Sequence, residues 1–309
     1  MNAAIVEKDW WVCWTLRELF RLPNWKDHFY FKGGTSLSKG WKFIHRFSED
    51  IDIVISREKL GFPGDHSLGA NQLKRLRQKC PKVVKEISEA LGSVLKSSEF
   101  LSSIMVVEDR ADLEGQTLLV EYQGQFKSTL SYLRPVVKIE FGARSDIWPS
   151  EVISFSPMLF EAFPNSEKSP PIEVRALSPS RTFWEKAMLL HEENFRPAER
   201  NRKSRLARHY YDLWCLLISG IGDKAVEQNG LFESVAQHRQ TFFRQSFVDY
   251  STLRKGSLKI VPNAEKMLEW QQDYSAMQSY LFPGVAHPTW EQIIERVRAF
   301  EQQFNSSTN

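Results

Sequence analysis

Two aspartates in the segment KGGTSLSKGWKFIHRFSEDIDIVI, residues 32–55, constrain the fold of this chain more than any other feature. Asp50 and Asp52 alternate with isoleucines, and successive side chains of a strand point to opposite faces. Both carboxylates therefore lie on one face of an apolar strand. Two like charges at this separation are unfavourable unless a positive group lies between them, and a divalent cation is the usual partner. The segment predicts a strand that carries a metal site.

The composition indicates a globular protein. The chain has 309 residues, of which 42% are hydrophobic and 26% charged, enough for one large domain or two ordinary ones. A net charge of +3 does not by itself indicate a nucleic-acid-binding protein. Three widely spaced cysteines match no metal-binding pattern and suggest buried thiols in a reducing compartment. No apolar run approaches the roughly 20 residues that span a bilayer, and the N-terminus does not resemble a signal peptide. We therefore expect a cytoplasmic protein without a membrane segment.

The first part of the chain mixes predicted helices and strands. The pattern predicts an amphipathic helix over 3–21, a strand over 28–32, a helix capped by Thr35 that runs to about Phe43, and a strand over 50–55. A long helix over 71–95 follows, and its outer face is basic. Three strands over 104–108, 117–122 and 130–141 are predicted to form an antiparallel set, with EVISFSPM and PIEVRAL as short edge elements.

The character of the chain changes after Ser178. Pro179 stands at a first helical turn and starts a predicted helix to about Glu193, and almost everything later is helical by period and length. We therefore predict an α+β domain over 1–177 and an all-helical domain over 178–309.

Carboxylates in this arrangement suit phosphoryl or nucleotidyl transfer. Such chemistry uses carboxylates that hold one or two magnesium ions, about 3.5–4 Å apart when there are two. Asp50 and Asp52 would supply two ligands, and Glu140 in VVKIEFGAR is the best candidate for a third ligand from a neighbouring strand. Gly33 and Gly34 fit the same scheme, because bare backbone amides at a helix start can approach a triphosphate closely. The alternative is an exposed strand end and an ordinary turn, but the ordered combination favours a nucleotidyltransferase site.

Five segments of the chain resemble a known family. EKDWWVCWTLREL, KGGTSLSK, RFSEDIDI, SRTFWEKAMLLH and RHYYDLW resemble the successive motifs of the AbiEii/AbiGii-type nucleotidyltransferase toxins, over about residues 5–217. These are the toxin halves of type IV abortive-infection toxin–antitoxin systems, and they are related to the mycobacterial MenT toxins. The resemblance implies a polymerase-β-like nucleotidyltransferase core with a mixed sheet, followed by a helical half that completes the active-site cleft. The chain departs from the superfamily's G-S…D-x-D motif by having Gly34-Thr35 and a longer spacer.

The resemblance also implies roles for individual residues. Lys186 matches the lysine of the WEK helix, where it would neutralise nucleotide phosphates, and Asp212 matches the aspartate of YYDLW. The catalytic set would be Asp50, Asp52, Lys186 and Asp212, and the metal, Mg²⁺ with Mn²⁺ as an alternative, would be held by Asp50, Asp52 and Glu140. The NTP would be bound by Gly33, Gly34, Thr35, Ser48, Lys186 and Arg208. The alternatives are a solvated helix lysine at Lys186 and a surface ion pair between Asp212 and Arg208.

Basic residues cluster near these motifs. The run RPAERNRKSRLARH, residues 196–209, contains six Arg or Lys residues that could bind a triphosphate or an RNA backbone. A solvated linker is the alternative. Four further cations flank the D-x-D strand and could extend the same surface: Lys32, Lys39, Lys42 and Arg46.

Two functions follow from these patterns. The first is an enzyme that moves NMP from an NTP to an acceptor hydroxyl and releases pyrophosphate. By resemblance the acceptor is the 3′ end of tRNA, the biological role is phage defence, and a cognate antitoxin is encoded nearby. The second is a binding protein of the same fold that sequesters an NTP without transfer. A protein-modifying transferase, similar to AMPylating enzymes, is a further alternative.

Overall fold

The chain forms two compact units. The computed structural model describes residues 3–64, 68–96, 104–126, 134–163, 170–278, 281–282 and 284–306. The first unit comprises Met1–Trp41 and Ser48–Leu177, and the second comprises Lys42–Phe47 and Ser178–Asn309. The second unit therefore includes a six-residue segment from the middle of the first unit's sequence.

A seven-stranded mixed sheet organises the first unit. Its strands are β1 (Phe29–Lys32), β2 (Ile51–Ile55), β3 (Met105–Glu108), β4 (Thr117–Glu121), β5 (Val136–Gly142), β6 (Ser150–Phe155) and β7 (Ile172–Leu177). The order is β3-β4-β5-β2-β1-β7-β6, with parallel pairs β2–β5 and β1–β7 and antiparallel neighbours elsewhere. The predicted antiparallel set is confirmed as β3-β4-β5. Residues 130–133 of its third strand lie outside the described residues.

The register of the sheet separates an apolar face from a polar one. Phe31 pairs with Ile53, and Ile53 pairs with Phe141, and all three side chains are buried. The alternate positions place Asp52 between Lys32 on β1 and Glu140 on β5. Because residues in register across neighbouring strands share a face, the predicted metal ligands Asp52 and Glu140 lie side by side.

Helices α1 (Ala3–Leu19), α3 (Ala70–Lys96) and α4 (Met158–Ala162) complete most of the first unit. The helices predicted over 3–21 and 71–95 are confirmed as α1 and α3. The sheet and helices confirm the α+β fold with a mixed sheet. One of the two edge predictions is wrong, because β7 lies between β1 and β6, whereas β6 is an edge strand as predicted.

The helix after the glycine pair also differs from the prediction. A short helix α2 (Gly33–Thr35) leads directly into a π-helical turn, Ser36–Gly40, and the helix ends there instead of at Phe43. Thr35 is the last residue of α2, is fully buried and forms no side-chain hydrogen bond to a helix amide, so it does not act as the predicted cap. The wider π turn is a common feature of functional sites.

The second unit is helical wherever its regular elements are described. Its helices are α5 (Pro179–Asn194), α6 (Arg208–Ile218), α7 (Ile221–Glu227), α8 (Leu231–Phe242), α9 (Met267–Ala276) and α10 (Trp290–Ser306). Ser178 caps α5 by accepting a hydrogen bond from the Ser180 amide at 3.3 Å, and Pro179 follows at a position that lacks an amide partner in any helix. Trp184 packs against Phe232, Phe300 and Phe304 to form an aromatic core.

The segment Lys42–Phe47 is joined to this unit by backbone contacts. The Phe282 amide donates to the His45 carbonyl at 3.1 Å, and Arg46 forms an isolated β-bridge with Leu281. No helix in the described parts of the chain is both long and apolar enough to cross a membrane. Cys13, Cys80 and Cys215 are free and buried, as predicted.

Candidate active site

A close contact joins the glycine turn to the D-x-D strand. Gly33 has φ +79°, a backbone conformation that residues with a side chain rarely adopt, and it lies against the Asp52 carboxylate. A Cβ atom at residue 33 would stand 2.0 Å from Asp52 Oδ2. The position therefore requires glycine for two reasons, the backbone conformation and the space that the carboxylate occupies. The glycine turn and the Asp52 carboxylate therefore pack directly against each other.

Thr35 fixes the segment that precedes the strand. Its buried hydroxyl donates to the Asp50 carbonyl at 2.5 Å and lies 2.8 Å from the Ser48 hydroxyl. Within the turn, the Ser36 hydroxyl donates to the Gly33 carbonyl at 2.9 Å. The predicted nucleotide-binding residues Thr35 and Ser48 thus hydrogen-bond to each other. The Thr35 hydroxyl holds the backbone of Asp50, and the Ser48 hydroxyl acts on it only through Thr35.

The third predicted metal ligand is engaged elsewhere. Glu140 is 45% exposed and accepts from Lys138 Nζ at 2.5 Å. Within the described residues, no group of three or more His, Cys, Asp or Glu side chains is placed to hold a metal ion. The structure therefore does not assemble the predicted triad of Asp50, Asp52 and Glu140 as one ligand set. The donors nevertheless have the oxygen chemistry that Mg²⁺ prefers, and Asp50 and Asp52 are both half-buried near the glycine turn.

A buried charge cluster lies in the second unit. Asp212 is fully buried and forms a two-point contact with Arg46, with Nε–Oδ1 at 2.7 Å and Nη2–Oδ2 at 2.8 Å. Lys186 Nζ lies 2.8 Å from Asp212 Oδ2 and 3.4 Å from His209 Nδ1. We call Arg46, Lys186, His209 and Asp212 the Asp212 cluster.

The cluster carries an excess of positive charge. Burial alone would raise the pKa of the Asp212 carboxyl, but the Arg46 and Lys186 cations hold it below its usual range. Burial lowers the pKa of Lys186, and the Asp212 carboxylate opposes this effect. Burial, reinforced by Lys186, holds the pKa of His209 well below its usual value, so the imidazole is neutral near pH 7. Two cations therefore surround one carboxylate, and the remaining charge favours an anion nearby.

These contacts overturn the alternatives considered for this pair. Lys186 is not a solvated lysine, since its side chain is 8% exposed, and Asp212 is not in a surface ion pair with Arg208. The Lys186 ammonium already pairs with Asp212, so a phosphate would share this cation with the Asp212 carboxylate. Arg208 begins α6 and is half-buried, and its role in nucleotide binding stays a prediction.

The prediction of a basic surface around the D-x-D strand is mostly wrong. Arg46 belongs to the Asp212 cluster, and Lys39 is buried and paired with Asp9 at 2.7 Å. Lys32 donates to the Ser145 hydroxyl at 2.8 Å, which leaves Lys42 as the exposed member of the four. A sequence pattern cannot distinguish a solvated cation from one paired with an acid that is distant in sequence.

Two members of the basic run 196–209 are also tied within the second unit. Arg196 forms a two-point contact with Glu193, both distances being 2.6 Å. Arg202 pairs with Glu269 at 3.0 Å and its guanidinium lies 3.7 Å from the centre of the Trp270 ring. Arg200, Lys203 and Arg205 are exposed, so only this part of the run is on the surface as an RNA-binding segment would require.

Two buried ion pairs on α1 were not predicted from the sequence. Lys8 Nζ lies 3.0 Å from Glu49 Oε2 and donates to the Arg134 carbonyl at 2.9 Å. Asp9 pairs with Lys39 and accepts from the Met158 amide at 2.7 Å. The signal was present in EKDWW, where Lys8 and Asp9 place opposite charges beside two tryptophans of a helix that is otherwise largely apolar. Lys8 thereby supports the residue that directly precedes Asp50.

Comparison with known proteins identifies the family. The model of the nucleotidyltransferase AbiEii toxin family, which belongs to type IV toxin–antitoxin systems, matches residues 14–296. The chain belongs to the AbiEii nucleotidyltransferase toxin family. The match runs well beyond the segments that carry the resemblance in the sequence, and it includes most of the helical region. A search of proteins with curated functions finds no match.

A solved structure supports the same fold. MenT4, a nucleotidyltransferase toxin from Mycobacterium tuberculosis H37Rv, superposes with a TM-score of 0.51 and 17% sequence identity. The similarity covers 99% of this chain and 84% of MenT4. At this identity the comparison concerns the fold, and it bears out the resemblance to the MenT branch at that level.

Proposed function

We propose that this AbiEii family member is a metal-dependent nucleotidyltransferase that moves NMP from an NTP to the 3′ hydroxyl of a tRNA. The contact between Gly33 and the Asp52 carboxylate carries the proposal. It brings bare backbone amides, which suit a triphosphate, directly beside carboxylates that suit Mg²⁺ or Mn²⁺. Family membership supports a transferase, and the tRNA acceptor rests on the resemblance to the MenT branch.

The proposed reaction is an in-line displacement at the α-phosphorus. The acceptor oxygen bonds to this phosphorus, the bond to the bridging oxygen of the β-phosphate breaks, and pyrophosphate leaves with the electron pair. The hydroxyl proton passes to solvent. A divalent cation held by Asp50 and Asp52 would, when bound, neutralise phosphate charge and lower the pKa of the attacking hydroxyl.

The protein's own groups would position the reactants. The amides of Gly33 and Gly34 would hold phosphate oxygens, while Thr35, supported by Ser48, holds the Asp50 carbonyl. Glu140 stands in register with Asp52 and would join the metal ligands by leaving its ion pair with Lys138 and binding the divalent metal ion. The excess positive charge of the Asp212 cluster, with Arg208 nearby in sequence, would favour a phosphate in the second unit.

One observation favours a different function. The ion pair between Glu140 and Lys138 leaves two carboxylates for the metal, which is compatible with a protein that binds and sequesters an NTP. A cognate antitoxin is proposed as a partner in either case, because family members act as halves of toxin–antitoxin systems.

The test is transfer of label from each of the four α-labelled NTPs to total RNA, with Mg²⁺ or Mn²⁺ and with a chelator as a control. Asp50→Asn and Asp52→Asn should each lower the rate by about 100-fold or more. Asp27→Asn, which alters an exposed carboxylate in the same unit, should leave the rate unchanged. Label on RNA supports the proposal. Saturable NTP binding without transfer would favour sequestration, and label on protein would favour a protein-modifying enzyme.

A further inference from the structure

The outer face of α3 carries an unusually dense group of cations. Six of the twelve residues 74–85 are Lys or Arg, and no acidic residue stands between Ala70 and Lys85. All six side chains are exposed. We call them the α3 stripe: Lys74, Arg75, Arg77, Lys79, Lys82 and Lys85.

The stripe is ordered by the geometry of the helix. At about 100° per residue, Lys74, Arg75, Lys82 and Lys85 fall within an arc of about 100°. The buried residues of α3 lie opposite this arc: Leu76, Cys80, Val83, Val84, Ile87 and Leu91. With a rise of about 1.5 Å per residue, the arc extends for about 16 Å along the helix. The result is a row of charges directed away from the protein core.

The cations of the stripe have few partners within the protein. Among the described residues, none of the six forms an ion pair, and Lys79 alone donates a hydrogen bond, to the Leu60 carbonyl at 2.9 Å. Several of them are like charges three or four residues apart, such as Arg75 with Lys79 and Lys82 with Lys85, a spacing that destabilises a helix. A bound polyanion would relieve this repulsion, whereas a single small anion would neutralise only part of it.

The packing of α3 distinguishes between possible polyanions. A basic helix that binds a membrane surface inserts its apolar face among the lipids. Here that face is buried in the first unit, where α3 packs against β3 and β4. The row of cations is then free to contact a phosphate backbone, and most protein contacts to nucleic acids are made to such backbones.

We propose that the α3 stripe binds the phosphate backbone of the RNA acceptor, away from the reacting end. This proposal rests on the proposed function only in taking RNA as the acceptor. Because α3 packs on β3 and β4 through the face opposite the stripe, the stripe is directed away from the sheet and would not contact an NTP bound at Asp52. A surface of this kind suits a long acceptor that extends well beyond its 3′ end.

The test compares two variants that each lose four positive charges from a chain of net charge +3. The stripe variant carries Lys74→Gln, Arg75→Gln, Lys82→Gln and Lys85→Gln. The control variant carries Lys26→Gln, Lys224→Gln, Arg244→Gln and Arg298→Gln, four exposed cations that are scattered over the chain. Binding of labelled tRNA is measured against salt concentration, and steady-state transfer is measured with tRNA and with a short hairpin that has the same 3′ end.

The stripe variant should flatten the log–log salt dependence of tRNA binding by about 3, at roughly 0.7–0.9 for each lost phosphate contact. Its KM for tRNA should rise about tenfold or more, while its KM values for NTP and for the hairpin stay at the parent's values. The control variant should match the parent in every measurement. The thermal unfolding midpoint of the stripe variant should be no lower than that of the parent, because like-charge repulsion is removed without loss of packing.

Equal salt slopes for the two variants would overturn the proposal, and so would an equal rise of KM for the hairpin. Binding of the parent to phosphatidylserine vesicles that is lost in the stripe variant, with tRNA binding unchanged, would also overturn it. The two proposals fail separately. If the parent binds tRNA through the stripe but labels no RNA, the transferase function fails and the surface stands. If the parent labels tRNA and the stripe variant behaves like the control, the surface fails and the function stands.

Discussion

Replacing Asp212 by alanine should destabilise the protein strongly, apart from any effect on activity. The carboxylate is fully buried and neutralises two cations, Arg46 and Lys186, whose side chains are each 8% exposed. Removal of one partner from a buried ion pair costs about 3–5 kcal/mol, because the other charge stays desolvated and unpaired. At about 2–4 °C for each kcal/mol in a domain of this size, the unfolding midpoint should fall by about 6–20 °C.

Denaturant unfolding followed by tryptophan fluorescence, together with calorimetry, measures this effect. Asp223→Ala, which removes an exposed carboxylate from α7, is the matched control and should change the midpoint little. A triple variant, Arg46→Met with Lys186→Met and Asp212→Leu, should recover most of the stability, since apolar residues replace the whole cluster. If Asp212→Ala unfolds at the same denaturant concentration as the parent, the cluster does not act as a buried ion pair, and a loss of activity in that variant must be assigned to chemistry.

The glycine turn, Thr35 and Asp212 lead to three further predictions. Gly33→Ala should abolish transfer and destabilise the fold. Gly61 has φ +76° but open space around it, so Gly61→Ala should show only backbone strain of about 1–2 kcal/mol. Equal unfolding midpoints of the two variants would refute the role of the clash with Asp52. Thr35→Val should lower kcat and cost about 1–3 kcal/mol, because the half-buried Asp50 carbonyl loses its donor. Thr35→Ser should restore both kcat and stability, as kinetics and calorimetry can check. Because the pKa of Asp212 is held below its usual value, the stability that its carboxylate contributes should be complete above about pH 4 and decline as the pH falls further. The difference in unfolding free energy between the parent and Asp212→Ala should therefore shrink in acid. A difference that stays constant with pH would contradict this.

Local patterns were sufficient for most of the elements of the first unit. Alternating apolar residues predict β2, and the 3.6-residue period predicts α3 to within one residue at each end. Position within the sheet was harder to predict. PIEVRAL is a short strand whether it lies at an edge or inside, and its place as β7 depends on parallel pairing with β1, which local sequence does not determine.

The candidate site shows the same division between local and long-range information. The contact of Gly33 with Asp52 follows from the spacing of the motif, since a turn and the next strand are neighbours in sequence and in space. The partners of Lys39 and Arg46 are acids 30 and 166 residues away, so a sequence pattern treats both as surface cations. Buried ion pairs of this kind require the tertiary structure.

The segment Lys42–Phe47 determines how this chain can be divided. It belongs to the helical unit although the chain on both sides of it belongs to the sheet unit. A fragment that ends at Leu177 would keep Arg46 but lose Asp212, and the complementary fragment would keep Asp212 and Lys186 but lose Arg46. Neither half therefore carries a complete cluster, and a recombination event at residue 178 that brought in a helical region without an acid at the position of Asp212 would leave the Arg46 charge buried and unmatched.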